Sequence, residues 1–141
     1  MPSINPYLNF DGNTEEAFNF YKSVFGGELF MMRFSDTPEG GKMPDGIKDK
    51  IMHASLPIGN GNVLMATDAC EEMGFKLTQG NNFFISFSPD SREDADKIFN
   101  ALAEGGKVNT PLQDMFWGDY YGDLTDKFGI KWMVNYGKKP G

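Results

Sequence analysis

The sequence contains one histidine, and it is the first residue to consider for chemistry. His53 lies in the strand-like stretch 51–58, where Met52, Ala54 and Leu56 alternate with it. Because alternate residues of a strand face opposite sides, the apolar side is expected to pack on a helix and His53 to point toward a cavity. There an imidazole could act as a general base or hydrogen-bond a ligand. The alternative is a structural histidine that is satisfied by a neighbouring strand or carboxylate.

Two further titratable residues follow the next predicted strand. Asp68 ends that strand, and its type suits either an acid that faces a ligand or a residue that caps a turn. Cys70 is the only cysteine, so it cannot form an internal disulfide. The acidic residues around it would raise the pKa of its thiol, which makes it a poor nucleophile. We therefore interpret Cys70 as incidental to function.

Aromatic side chains are abundant, especially in the second half of the chain. Many must fill the core, but Trp and Tyr combine an apolar ring with a polar edge, which suits the wall of a small-molecule pocket. The rings that we expect to contact a ligand, beside His53 and Asp68, are Tyr7, Phe116, Trp117, Tyr121 and Trp132. The segment 116–119 is predicted to lie at the rim of the pocket. Its alternative role is a contact between two copies of the chain.

Several familiar catalytic templates are missing from the sequence. It has no glycine-rich phosphate loop, no nucleophile elbow with a Ser-His-Asp order, and no Cys-x-x-Cys pair. The glycines in 118–122 do not precede a predicted helix, so they do not indicate a phosphate site.

Composition limits the class of protein and its partners. A chain of 141 residues with 40% hydrophobic and 14% aromatic residues is the size of one well-filled domain. The formal charge of −7 would repel phosphate backbones and anionic lipids, so we expect neither nucleic acid nor membrane as a partner. A single cysteine and the absence of a basic, apolar leader sequence at the start predict a cytoplasmic protein.

The first half of the chain has the pattern of one strand, one helix and three strands. A strand over 4–10 precedes Asn13, whose spacing to Glu16 predicts a capping box, and Gly26-Gly27 ends the helix. The helix carries its apolar residues at Ala17, Phe20, Tyr21 and Val24. The later strands are predicted over 28–34, 50–58 and 62–67, with a hairpin turn at 59–61.

The second half repeats this order. A strand over 82–88 leads into a cap near Ser91, a helix that ends at Gly105-Gly106, and strands over 107–111, 116–121 and 130–136. Aligning the two halves so that Ala17 matches Ala95 also matches Val24 with Leu102, and the double glycine of the second half then comes one residue later than that of the first. A cap, an apolar stripe and a terminator that recur in order indicate a duplicated unit. We predict one domain over 1–141, with unit one at about 1–69, a linker at about 70–81 and unit two at about 82–138.

Four stretches together resemble a known family: 6–13, the helix from Glu16 to Gly27, the strand pair from His53 to Asp68, and 116–132 with its Phe-Trp-Gly-Asp-Tyr-Tyr-Gly run. The chain resembles the vicinal oxygen chelate superfamily (glyoxalase/bleomycin resistance/dioxygenase), and within it the PhnB-like, glyoxalase-related branch. This resemblance implies an α+β fold of two tandem βαβββ units, whose eight strands form a curled mixed sheet around a cavity. It also implies a homodimer.

Members of this superfamily often hold a divalent metal in the cavity, which polarises a carbonyl or stabilises an enolate. The resemblance implies that the ligands are His or Glu residues on the first and last strand of each unit. Here those strands offer Asn5, Tyr7, Asn82 and the segment 130–134 without an acid, and only Asp68 has suitable chemistry. One His and one Asp fall short of a zinc site. We expect no tight metal site, and at most a weakly held divalent cation.

Three functions follow as hypotheses. The first is a small-molecule-binding protein without a tight metal, with an aromatic pocket and His53. The second is a metal-assisted lyase, isomerase or dioxygenase-like enzyme in which His53 and Asp68 take part. The third is an interaction module whose dimer surface is its purpose. The fold resemblance alone does not decide between binding and catalysis.

Overall fold

The computed structural model describes residues 2–38 and 40–137, and these divide into two compact units after Thr78. The elements of unit one are β1 (Tyr7–Phe10), α1 (Thr14–Phe25), β2 (Phe30–Arg33), α2 (Asp45–Lys48), β3 (Ile51–Gly59) and β4 (Asn62–Asp68). Those of unit two are β5 (Ile85–Phe87), α3 (Arg92–Ala103), β6 (Lys107–Asp114), β7 (Tyr120–Thr125) and β8 (Lys131–Tyr136). Apart from the one-turn helix α2, each unit has the predicted βαβββ order, so the duplication is confirmed. The predicted end of unit two at 138 lies outside the described residues.

Each unit contains one four-stranded mixed sheet. The strand orders are β1-β4-β3-β2 in unit one and β5-β8-β7-β6 in unit two. In both sheets the first and last strands of the unit pair in parallel, while the remaining neighbours are antiparallel. The α+β class is confirmed. The hydrogen bonds join the strands into two separate sheets of four. The predicted curling of all eight strands around a cavity stays a prediction.

The long helices pack their apolar stripes on the sheets. Helix α3 buries Ala95, Ile98, Phe99 and Leu102, as the sequence pattern predicts. Helix α1 differs from its prediction at one position, because Phe18 is fully buried while Phe20 keeps part of its surface exposed. Phe18 meets the rings of Phe10 and Tyr21 edge to face, which accounts for its place in the core.

The two helices begin differently. Ser91 caps α3 as predicted, since its hydroxyl accepts a hydrogen bond from the Asp94 N–H at 3.0 Å. The predicted capping box at Asn13 is wrong, because the Asn13 side chain makes no capping bond. A carboxylate from a distant strand takes its place: Asp68 Oδ1 accepts the Thr14 N–H at 3.0 Å.

The double glycines let each helix end close to its sheet. Gly27 has φ of +92°, and a Cβ there would lie 2.5 Å from the carbonyl oxygen of Pro57 on β3. A Cβ on Gly106 would collide with the carbonyl of Thr125 on β7. The same close approach therefore recurs in both units, which explains why glycine appears at both helix ends.

Some strand boundaries differ from those predicted. Strand β5 covers only 85–87 of the expected 82–88, and β7 begins at Tyr120 rather than at Phe116. The segment 115–119 forms a turn instead of a strand, as hydrogen bonds from Gly118 N–H to Met115 O and from Met115 N–H to Asp119 O show. Among the described residues no helix has the length and apolar character needed to cross a membrane.

Candidate functional site

Tyr7 and His53 meet on the side of the first sheet that faces away from α1. The Tyr7 hydroxyl lies 3.2 Å from His53 Nδ1, and the ring centroids are 5.8 Å apart at 36°. Tyr7 is on β1 and His53 is on β3, with β4 between them. The Tyr7 phenol is protonated at neutral pH and can donate to the imidazole, and burial raises its pKa further. Of the residues that the sequence predicted for the site, these two are brought into contact.

Strand alternation defines the surroundings of this pair. Leu8, Ala54, Leu56, Leu64 and Ala66 are buried on the side of the sheet that packs on α1. The opposite side, named here the first open face, consists of Tyr7, Asn9, Phe30, Met32, His53, Ser55, Val63, Met65 and Thr67, which are all half-buried or exposed. The placement of His53 away from the helix agrees with the alternation in the sequence.

The first open face combines apolar and neutral polar groups. Met32 lies opposite His53 in the strand register, and Phe30 and Met65 lie on either side of Ser55. His53 and Tyr7 are the titratable members of this face, so no lysine, arginine or carboxylate belongs to it. An apolar surface with a few placed polar groups is the usual character of a site for a small organic molecule.

Asp68 is buried below the sheet and serves the framework. Its Oδ1 accepts the Thr14 N–H at 3.0 Å and its Oδ2 accepts the Ile51 N–H at 2.8 Å. The carboxylate thus joins the end of β4, the start of β3 and the N-terminus of α1, where a negative charge is favourable. With 5% of its surface exposed, Asp68 offers no free oxygen to a ligand in this structure. Of the two roles considered for it, its geometry matches the capping role.

Trp132 is also a framework residue. It is fully buried, and its indole N–H donates to Asp126 Oδ2 at 2.9 Å. Asp126 Oδ1 accepts the N–H groups of Phe128 and Ile130, which fixes the turn between β7 and β8. Trp132, which was predicted to contact a ligand, therefore exposes no ring surface to one in this structure. Asp126 was not among the candidates, although its place before a turn with glycine is typical of such a capping aspartate.

The remaining aromatic candidates lie together in unit two. Phe116 and Trp117 occupy the turn between β6 and β7, with ring centroids 5.0 Å apart, and Trp117 lies 6.4 Å from the ring of Tyr121. The Tyr121 hydroxyl donates to Asp123 Oδ2 at 2.7 Å. Burial, followed by this hydrogen bond and the charge of Asp123, raises the pKa of Tyr121 to about 12.

Cys70 is buried beside Phe34 and Ile47 in a small apolar cluster. Its pKa is raised, with burial as the largest cause and the charges of Glu72 and Asp68 adding to it, while Lys50 lowers it. The direction agrees with the expectation from the acidic neighbours, but desolvation contributes more than they do.

The donor set does not fit the divalent metal that the fold family implies. Asp68 uses both oxygens on backbone N–H groups, so of this predicted pair only His53 Nε2 is left as a ligand, and a single ligand falls short of a metal site. Within residues 2–38 and 40–137 no three or more His, Cys, Asp or Glu side chains gather in a way that could hold an ion. No chemical step through a metal is derived from these residues.

Known proteins resemble the chain over nearly its whole length. Solved structures include protein PA1353 of Pseudomonas aeruginosa, with 42% identity, a TM-score of 0.85, and coverage of 97% of this chain and 98% of that one. A Bacillus cereus structure described as a putative 3-demethylubiquinone-9 3-methyltransferase, PhnB protein, has 26% identity, a TM-score of 0.73, and coverage of 96% and 100%. Protein YjdN of Escherichia coli is 29% identical over 99% of this chain and 97% of its own length.

A more distant likeness confirms the fold. A glyoxalase/bleomycin resistance protein/dioxygenase family enzyme of Burkholderia phytofirmans shares 20% identity and a TM-score of 0.63, over 94% of this chain and 97% of that one. The family model described as 3-demethylubiquinone-9 3-methyltransferase matches residues 2–135. The chain therefore belongs to this PhnB-like family, and it shares its fold with the glyoxalase/bleomycin resistance/dioxygenase enzyme.

Proposed function

We propose that the chain is a small-molecule-binding protein whose ligand contacts the first open face, with Tyr7 and His53 as its polar contacts. The observation that carries the proposal is the hydrogen bond between these two side chains on an otherwise uncharged, partly exposed surface. Tyr7 is on the edge strand β1 and keeps 47% of its surface exposed. A pair held in place before binding loses little conformational freedom when a ligand arrives.

The hydrogen bond fixes the orientation of the imidazole and leaves Nε2 for a ligand. When Tyr7 donates to Nδ1, Nε2 carries the proton and is a donor. When Nδ1 carries the proton and the phenol oxygen accepts it, Nε2 is an acceptor. The pair can therefore match either a carbonyl or a hydroxyl group of a neutral, partly aromatic or amphipathic molecule.

The alternative is a metal-assisted lyase, isomerase or dioxygenase-like enzyme that uses His53 and Asp68. It requires a carboxylate that can leave its present partners, yet both Asp68 oxygens hold backbone N–H groups. The contacts of Asp68 therefore favour binding without a tight metal. We further propose that residues 1–141 form one domain and that the protein is a homodimer, as the family resemblance implies. The single cysteine supports a cytoplasmic location.

The test is an equilibrium ligand screen on protein purified without chelators, with metal analysis of the same sample. The screen includes neutral aromatic alcohols and carbonyl compounds, and also S-adenosylmethionine because the family description names a methyltransferase. For a neutral ligand found in this way, Tyr7→Phe should weaken binding by roughly 3- to 10-fold, which is the usual worth of one hydrogen bond. His53→Ala should weaken it at least as much.

Tyr120→Phe is the matched control, because it removes a phenol that bonds to Asp96 in unit two. It should leave the affinity unchanged. Near-stoichiometric zinc, nickel, manganese or iron in the purified protein would contradict the proposal. So would a ligand whose affinity is the same for wild type, Tyr7→Phe and His53→Ala.

A further inference from the structure

The turn between β6 and β7 exposes two large rings that the fold itself does not need. Phe116 is 98% exposed and Trp117 is 54% exposed. They are the two central residues of a turn closed by the hydrogen bond from Gly118 N–H to Met115 O, and Gly118 supplies the positive φ of +102°. Small and polar residues usually fill such positions, because the turn is made by the backbone. Exposed rings at this place indicate a contact with something outside the fold.

The planes of the rings meet at steep angles and are not stacked face to face. Phe116 and Trp117 meet at 86°, and Trp117 and Tyr121 meet at 61°. We call these three residues the aromatic corner. Rings at steep angles leave ring faces uncovered, and the face of an aromatic ring carries negative potential. A second hydrogen bond, from Met115 N–H to Asp119 O, holds the turn in shape before any ligand is present.

Carboxylates adjoin the aromatic corner, and their hydrogen-bond partners found here are neutral. Asp123 Oδ2 accepts the Tyr121 hydroxyl at 2.7 Å, and Asp119 Oδ2 accepts the Asn135 amide at 3.1 Å. In the part of the chain that the structure describes, the ion pairs found involve neither aspartate. Their charge is thus available to a cation.

The lysines of this sheet lie at the end of β7 away from Tyr121, where Lys107 and Lys131 are both paired with Thr125 in the register. Lys131 is on the same face as Asp123, but its ammonium donates to Thr125 Oγ1 at 3.2 Å and lies 5.7 Å from the centre of the Phe84 ring. Arg92 is held by Asp114 and lies over the ring of Tyr120. The net charge of −7 adds a field that attracts cations.

We propose that the aromatic corner, with Asp119 and Asp123 beside it, binds an organic ammonium ion. Ring faces attract such a cation, and the carboxylates attract it further. An anion would be repelled by both aspartates, and a neutral ring would gain nothing from them. This site lies in unit two and is independent of the proposed function of Tyr7 and His53.

The test compares choline with 3,3-dimethylbutan-1-ol, which has the same shape without the charge. The readout is nuclear magnetic resonance at constant ionic strength, which follows the indole N–H resonance of Trp117 and, for Trp117→Ala, the line width of the choline methyl resonance. Trp132 is an internal control, because it is buried and bonded to Asp126. Choline should shift the Trp117 resonance to saturation and bind at least about fivefold more tightly than the alcohol.

Variants assign the effect to the corner. Trp117→Ala and Asp123→Asn should each weaken choline binding by roughly two- to fivefold. Neither is expected to disturb folding, because Trp117 is exposed and an asparagine oxygen can still accept the Tyr121 hydroxyl. Phe83→Ala is the matched control, since Phe83 is 61% exposed in the same unit but outside the corner, and it should bind choline like wild type.

Three outcomes would overturn the proposal. The first is equal binding of choline and the neutral alcohol. The second is a choline affinity that is the same in Trp117→Ala and wild type. The third is self-association at the corner, seen in sedimentation as a smaller species for Trp117→Ala while choline has no effect on the wild type. Failure of any of these tests leaves the proposal for Tyr7 and His53 unaffected, because that proposal rests on the other unit.

Discussion

Replacing Asp68 with asparagine tests whether this carboxylate stabilises the fold or binds a ligand. Both of its oxygens accept backbone N–H groups, one from Thr14 and one from Ile51, and the side chain is buried. Asparagine has nearly the same volume but only one acceptor oxygen. Its amide group would face one of the two N–H donors, so that donor would lose its partner.

The expected cost follows from that single lost acceptor. A buried donor left without a partner costs about 1–3 kcal/mol, and loss of the negative charge at the N-terminus of α1 adds about 0.3–1 kcal/mol. Asp68→Ala leaves both N–H groups unpaired and should cost roughly 2–6 kcal/mol. With an m-value of about 1–3 kcal/mol per M, Asp68→Asn should lower the urea midpoint by about 1 M.

Urea unfolding followed by circular dichroism measures this change. Asp11→Asn is the matched control, because Asp11 is an exposed aspartate in the turn before the same helix. It should leave the midpoint nearly unchanged. If Asp68→Asn unfolded like wild type and instead abolished the binding of a ligand, the assignment of Asp68 to the framework would be refuted.

Two further predictions concern a glycine and a phenol. Gly27→Ala should lower the free energy of unfolding by about 1–2 kcal/mol for the left-handed backbone alone, and by more because its Cβ would collide with Pro57 O, so the unfolding temperature should fall. Gly41→Ala is the control, because its Cβ meets open space and should have little effect. Equal unfolding temperatures for the two variants would contradict this. Tyr121 should titrate near pH 12 in the difference between the phenolate absorbance of wild type and Tyr121→Phe, and at a lower pH in Asp123→Asn. Because the pKa of Tyr121 is raised above its unfolded value of 10.0, the stability that the protonated phenol contributes is complete below pH 10.0 and is lost as the pH rises through about 12. A titration of Tyr121 near pH 10 would refute burial and Asp123 as the cause of the raised pKa.

The features that could be predicted from the sequence are those set by neighbours along the chain. The stripe of α3, its Ser91 cap and the glycines after each helix all depend on residues within about one turn of each other, and the structure confirms them. The alternation around His53 also places it correctly on the side of the sheet away from α1. The resemblance to the PhnB-like branch added the tandem βαβββ order and the family.

What the sequence could not provide depends on distant pairs. Tyr7 and His53 were separate candidates, 46 residues apart, and nothing in the local pattern indicates that they touch. The acceptor that Thr14 finds in Asp68 is 54 residues away, so the nearer Asn13 appeared to be the cap. Phe116 and Trp117 have the composition of a strand, but the hydrogen bonds of Met115 with Gly118 and Asp119 make their segment a turn.

The duplicated units also explain why the chemistry of this chain is unequally distributed. Both sheets need an apolar face to pack on a helix, so the buried positions Ala17, Tyr21 and Val24 of α1 match Ala95, Phe99 and Leu102 of α3, while the opposite faces are free to differ. In unit one that face holds a histidine and a phenol among uncharged side chains; in unit two it holds Asp123 and Lys131, with the aromatic corner at the turn. A neutral ligand suits the first and a cation suits the second. A substitution in the first open face should therefore weaken binding of the neutral ligand and leave binding of the cation unchanged. A substitution in the aromatic corner should have the opposite effect.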